Sequence, residues 1–285
     1  MMPAHYSLAY SPCPNDTYIF AALTNGLLPG APHVDVVLDD VEALNRAALE
    51  GRHALTKVSY GAIPYLLGRY RILRAGGALG RGCGPLVVAQ PGVDGKAPLL
   101  TDFAEDAEFA IPGRMTTAFA LLRLALGRAP RVREMRFDRI VDAVANNEVA
   151  GGLIIHESRF TYRNAGLVES IDLGDWWERE TGNPIPLGAI LVRRDVPDAD
   201  ARALDDAIRR SLTFAREREG EIIDYVRAHA FEMDDAVMRA HIGLYVNAFS
   251  DDVGDEGIAA VADFFAREEA SGLIPPGTRP EFVAA

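Results

Sequence analysis

The chain has 285 residues and a formal net charge of -12 at pH 7, with 49% hydrophobic and 25% charged residues. That acidity argues against nucleic acid or an anionic membrane as a partner, since both demand concentrated Lys and Arg to displace counterions. An anionic small molecule stays open, provided that local donors inside a cleft meet it. Single cores stop growing near about 250–300 residues, so two lobes are expected. Only Cys13 and Cys83 occur, without a CxxC pair, which leaves no disulfide framework or zinc knuckle. The start, MMPAHYSLAYSPCPND, has neither a basic region nor an apolar run, and no stretch approaches the ~18 apolar residues of a membrane span. The expected place of the protein is the cytoplasm.

Tyr6–Tyr10 reads as a first strand, closed by the rigid turn Ser11-Pro12-Cys13-Pro14. Asn15 or Asp16 is positioned to cap a helix running to about Asn25, with Gly26 as its stop. A strand, a loop and a helix N-terminus in that order can hold a polar ligand on free N–H groups, although a plain connection explains the same residues. His33–Leu38 alternates as a strand, and Asp39 or Asp40 caps a helix that ends at Gly51. The strand Ala54–Val58 then runs into Lys57-Val58-Ser59, placing a cation and a hydroxyl at a strand's carboxyl end.

Arg74–Val88 is glycine-rich but lacks GxxxxGK[ST] and leads into the strand Leu86–Ala89 instead of a helix. It reads as flexible backbone at a hinge or cleft rim, with Arg81 as a ligand donor. Residues 91–106 are loop-like and mark the expected crossing into the second lobe. The expected lobes are therefore 1–98 plus 191–285, and 99–190.

In the second lobe, the strand Glu108–Ile111 leads to Arg114, Thr116 and Thr117 at the start of an apolar helix. This group can hold a carboxylate or can be an ordinary threonine cap. Val132–Phe137 and Ala150–Ile155 complete a βαβαβ pattern, which predicts a parallel sheet. The last strand ends in GGLIIHESRF, putting His156 where open α/β folds place ligand chemistry. A packing histidine is the ordinary alternative. Pro184–Val192 returns to the first lobe, and helices fill the rest, with His229 and His241 expected to be structural or exposed.

Metal chemistry is poorly supported: Phe160 stands where HExxH needs its second ligand, and His5, His33 and His53 are scattered without ligand spacing. No GxSxG elbow marks a hydrolase. Polar groups at strand and helix ends remain, and among them an imidazole can move a proton near neutral pH.

The segments SPCPNDTYIF, LTKVSYGA, GGALGRGCGPLVVA, PGRMTTA, GGLIIHESRFTY, PLGAILVRRD and YVNAFS, in this order, resemble the 1,4-dihydroxy-6-naphthoate synthases of the futalosine route to menaquinone. The resemblance runs from about residue 6 to the C-terminus. It implies a type II periplasmic-binding-protein-like α/β fold with a ligand cleft between two lobes. It also implies a cytoplasmic carbon–carbon lyase that cleaves cyclic dehypoxanthine futalosine, releasing a dihydroxyacetone-type fragment. By the same resemblance His156 is the base, while Lys57, Val58 and Ser59 form one substrate segment and Thr116 and Thr117 another. Asn15 and Asp16 join the cleft by motif position. Such an elimination balances without a redox or metal cofactor, and the implied partner is a small-molecule carboxylate. A solute-binding protein without catalysis and the related chorismate dehydratase are the alternatives. The tail from Ser271 can pack in a homodimer or on its own lobe.

Overall fold

The computed structural model describes residues 5–230 and 234–284. Residues 1–4, 231–233 and 285, at the two ends of the expected first lobe and between its C-terminal helices, lie outside that description.

The first sheet runs β2 (His33–Leu38), β1 (His5–Tyr10), β3 (Leu55–Ser59), β11 (Ile185–Arg193), β4 (Tyr70–Ile72), with β5 (Ala78–Gly80) also pairing β11. The second runs β10 (Val168–Asp172), β6 (Leu86–Ala89), β9 (Gly151–Ile154), β7 (Glu108–Ile111), β8 (Arg131–Glu134). The central strands β6 and β9 are buried along their whole length, as runs without charged residues allow, and β3 is equally buried although it carries Thr56, Lys57 and Ser59, whereas the edge strand β8 is mostly exposed.

Both sheets are mixed: the three strands of the βαβαβ pattern, β7, β8 and β9, are parallel as expected, but the second sheet as a whole is not. β1 pairs β2 and β3 in parallel and β7 pairs β8 and β9 in parallel, but β11 and β6 run antiparallel to their neighbours. These two are the strands by which the chain changes lobes, and each enters its new sheet from the opposite end. The crossing also comes earlier than residues 91–106, because β6 already belongs to the second sheet. Likewise residues 185–190, assigned to the smaller lobe, pair within the first sheet. An apolar run shows that a strand is buried, not which sheet it joins.

The crossing depends on a close backbone approach. A Cβ on Gly84 would lie 2.3 Å from Gly174 Cα. Arg159 holds the same loop, donating to the carbonyls of Gly84 at 2.6 Å and Gly82 at 3.2 Å and pairing with Asp172 at 2.5 Å.

The helices are α1 (Pro14–Thr24), α2 (Val41–Leu49), α3 (Thr117–Leu126), α4 (Ile140–Ala145), α5 (Ser158–Thr161) and α6 (Leu173–Thr181). They are followed by α7 (Asp198–Glu217), α8 (Ile223–His229), α9 (Asp235–Tyr245), α10 (Ala248–Asp251) and α11 (Gly254–Ala270). Helices α1, α7 and α8 bury Phe20, Leu212 and Val226 together against the first sheet. Helix α11 reaches the other lobe, with Phe264 edge-on to Trp177 of α6 at 5.6 Å. The C-terminal tail packs on its own lobe: Ile72 N–H donates to Glu281 O and Val283 N–H to Ile72 O, each at 2.8 Å.

Candidate active site

The carboxyl ends of β1, β3 and β9 and the N-termini of α1 and α3 converge on a cleft of about 700 Å³, a volume that includes its open mouth. Asn15, Asp16, Lys57, Val58, Ser59, Thr116, Thr117 and His156 all line it. The structure thus brings together the eight residues that the resemblance and motif position assigned to the site, but it gives them different tasks.

Asn15 and Asp16 do not cap α1. The helix begins at Pro14 with Cys13 as its N-cap residue, and no side chain caps it. Asp16 sits in the first turn, where a negative charge meets the positive end of the helix dipole. It is 2% exposed, and its carboxylate accepts from Ser11 Oγ at 2.7 Å, Asn15 Nδ2 at 2.9 Å and Lys57 Nζ at 2.8 Å. Lys57 also donates to Gly76 O at 3.0 Å. This buried pair neutralises itself and stiffens the cleft floor. Val58 is fully buried in the core where it meets the cleft, and offers a ligand no polar side chain.

Ser59 is better placed to reach a ligand. Its N–H donates to Asn45 Oδ1 at 2.9 Å and its Oγ accepts from Asn45 Nδ2 at 3.2 Å, which leaves the hydroxyl proton for the cavity. Opposite, Thr116 is a helix cap, accepting from Phe119 N–H at 3.2 Å and donating to Gly113 O at 2.8 Å. Thr117 Oγ1 donates to Leu187 O at 2.8 Å and accepts from Gly61 N–H at 3.1 Å, so its hydroxyl ties α3 to the other lobe. The donors left for an anion there are the first-turn backbone amides of α3.

The two arginines named from the sequence do not enter the cleft. Arg114 is exposed and pairs with Glu134 at 2.8 Å, and Arg81 donates to Gly182 O and Glu256, both at 3.0 Å. Both long side chains gain solvent and a carboxylate by turning outward. The cysteines are not nucleophiles, because burial pushes the Cys83 thiol up to about 12 and the Cys13 thiol well above its ordinary value.

His156 follows β9 with φ 56°, a left-handed backbone unusual for a residue with a Cβ. Such strain, of order 1–3 kcal/mol, persists only where the surroundings over-determine it, and it clusters at working sites. Phe137 packs edge-on to the imidazole at 5.0 Å. The next residue, Glu157, is 5% exposed with neither carboxylate oxygen hydrogen-bonded among the described residues.

The sequence reading missed His241. It was expected to be structural or exposed, yet this fully buried residue of α9 lines the cleft with its ring 6.3 Å from that of His156. Its position in an amphipathic helix, 85 residues beyond His156, carried no local signal. The scattered histidines were also closer than their spacing suggested. His5 and His33 stack at 4.0 Å beside Asp35, because β1 and β2 pair His5 with His33. That exposed cluster lies at the opposite end of the sheet from the cleft.

The sequence matches the family described as menaquinone biosynthesis over residues 6–270. The chain belongs to that family. It is 55% identical over 277 residues to the 1,4-dihydroxy-6-naphthoate synthase of Thermus thermophilus, covering 97% of this chain and 98% of that protein. It is 44% identical over 273 residues to the synthase of the same name from Streptomyces coelicolor, with 94% of each covered. In fold it is similar to the alkanesulfonate-binding protein SsuA of Xanthomonas axonopodis pv. citri, with a TM-score of 0.73 at 12% identity and 96% of both chains covered. The family's fold in this chain is thus the expected periplasmic-binding-protein-like one, two α/β lobes around a cleft. No helix among the described residues is long and apolar enough to cross a membrane.

Proposed function

We propose that this menaquinone-biosynthesis family member is a carbon–carbon lyase that forms 1,4-dihydroxy-6-naphthoate from cyclic dehypoxanthine futalosine, with His156 as its base. The observation that carries the assignment of the base is the left-handed backbone of His156, which holds the imidazole in the cleft wall with the Ser59 hydroxyl and the N-terminus of α3. The α3 amides and Ser59 are suited to the substrate carboxylate, since oriented donors cost no reorganisation when charge arrives. His156 takes a proton from the substrate, and the electron pair released breaks the carbon–carbon bond to the sugar-derived fragment. The ring left behind becomes aromatic, which supplies the driving force, and the fragment departs with a proton returned from the imidazolium or water. Two buried, unpaired cysteines suit a reducing compartment, and a cytoplasmic location goes with this reading.

The test is to incubate the purified protein with cyclic dehypoxanthine futalosine and measure dihydroxynaphthoate by mass spectrometry. Product is expected from the wild type and none above background from His156→Ala. Wild-type turnover in that variant removes His156 as base. Tight binding without product would support the solute-binding alternative.

A further inference from the structure

Asn15 and His241, 226 residues apart, are joined side chain to side chain, with His241 Nε2 2.9 Å from Asn15 Oδ1. The protonation of that imidazole follows from its neighbours. Asp16 carboxylate oxygens can only accept, and they already receive Lys57 Nζ and Ser11 Oγ. Asn15 must therefore turn Nδ2 toward Asp16, at 2.9 Å, and Oδ1 away from it. An amide oxygen also only accepts, so His241 Nε2 carries the proton. Burial, and second the neighbouring His156, hold the His241 pKa well below its ordinary value, so the ring is neutral and Nδ1 is a bare lone pair. Nδ1 is buried without a hydrogen-bond partner among the described residues, in a side chain that lines the cleft.

An unsatisfied buried acceptor of this kind carries a desolvation penalty, which a ligand donor recovers. We propose that His241 Nδ1 is a preset acceptor for a substrate hydroxyl and thereby orients the substrate against His156. The inference rests on the lyase reading. Of the two ends of that substrate, the carboxylate end offers no donor, so the hydroxyl belongs to the sugar-derived part that departs. Ser59 and α3 then hold one end of the molecule and His241 the other, with His156 facing the bond that breaks. The Lys57–Asp16–Asn15 chain serves as the scaffold that keeps the His241 tautomer.

Two variants separate this role from packing. In His241→Gln the side-chain amide reaches the Nε2 position and can still donate to Asn15, but the Nδ1 acceptor is lost. In His241→Asn the amide oxygen lies near the Nδ1 position, but the reach to Asn15 is lost. kcat/KM for the cyclic substrate, affinity for the product dihydroxynaphthoate and thermal midpoint are measured for each. The Gln variant is expected to lose roughly 10- to 100-fold in kcat/KM while product affinity stays within about threefold, and the Asn variant to keep more activity than Gln. Unchanged kcat/KM in His241→Gln overturns the proposal, and so does a parallel loss of substrate turnover, product affinity and thermal midpoint in both variants. An inactive wild type would instead defeat the lyase reading and this inference with it, an outcome the variants cannot mimic.

Discussion

Lys57 Nζ lies 2.8 Å from Asp16 Oδ1, and the two side chains are 6% and 3% exposed. A buried ion pair contributes little net stability, but removal of one partner strands the other charge. Lys57→Met is therefore expected to cost roughly 3–5 kcal/mol of unfolding free energy in urea titrations. Combined with Asp16→Asn it should cost less than the sum of the two single changes, because the stranded charge is gone. Additive losses would show that the two groups are not coupled.

Ser59 and Thr117 should respond differently, although both were expected to bind substrate. Thr117→Val removes the partner of Gly61 N–H and Leu187 O together, with an expected cost of about 1–3 kcal/mol in thermal or urea unfolding. Ser59→Ala leaves Asn45 Nδ2 a second acceptor in Glu42, so its stability should stay within about 1 kcal/mol while KM for the substrate rises severalfold. The reverse pattern would move the ligand-facing hydroxyl to Thr117.

Glu268 of α11 is 2% exposed, and burial pushes its carboxyl up to about 8, with Arg123 a smaller opposing influence. Its folded value is higher than its unfolded value, so the fold binds the proton that the unfolded chain releases. The contribution is fully present below the ordinary carboxyl value of 4.5 and is lost as pH rises to about 8. Glu268→Gln should remove that decline and leave the variant more stable than wild type above pH 8 by a few kcal/mol, read from unfolding curves across pH. A wild-type pH profile in the variant would contradict this.

Between the lobes, Glu134 of the second accepts from Arg46 of the first at 2.6 Å. The arginine side chain is 60% exposed, so the pair is screened and its worth is about 1 kcal/mol or less. Glu134→Gln should change substrate affinity by less than about fivefold at low salt and not at all in 0.5 M salt, as titration calorimetry can show. A larger effect would make this bridge a determinant of lobe closure.

Much was readable from the linear chain. Asp40 caps α2 by accepting from Glu42 N–H at 2.9 Å, and Gly127 ends α3 at φ 63°, both as local rules require. The motifs that resemble the naphthoate synthases also specified His156 and the cleft residues, and the family match bears out that resemblance. Apolar periodicity and capping chemistry act over a few residues, so a linear reading captures them. The tertiary structure decided the rest. It placed β6 in the second sheet, turned Arg81 and Arg114 to solvent, and committed both threonine hydroxyls to the protein. It also brought His241 to Asn15 across 226 residues. Such outcomes depend on which distant partner satisfies a strand edge, a charge or a lone pair, and no local pattern encodes that choice.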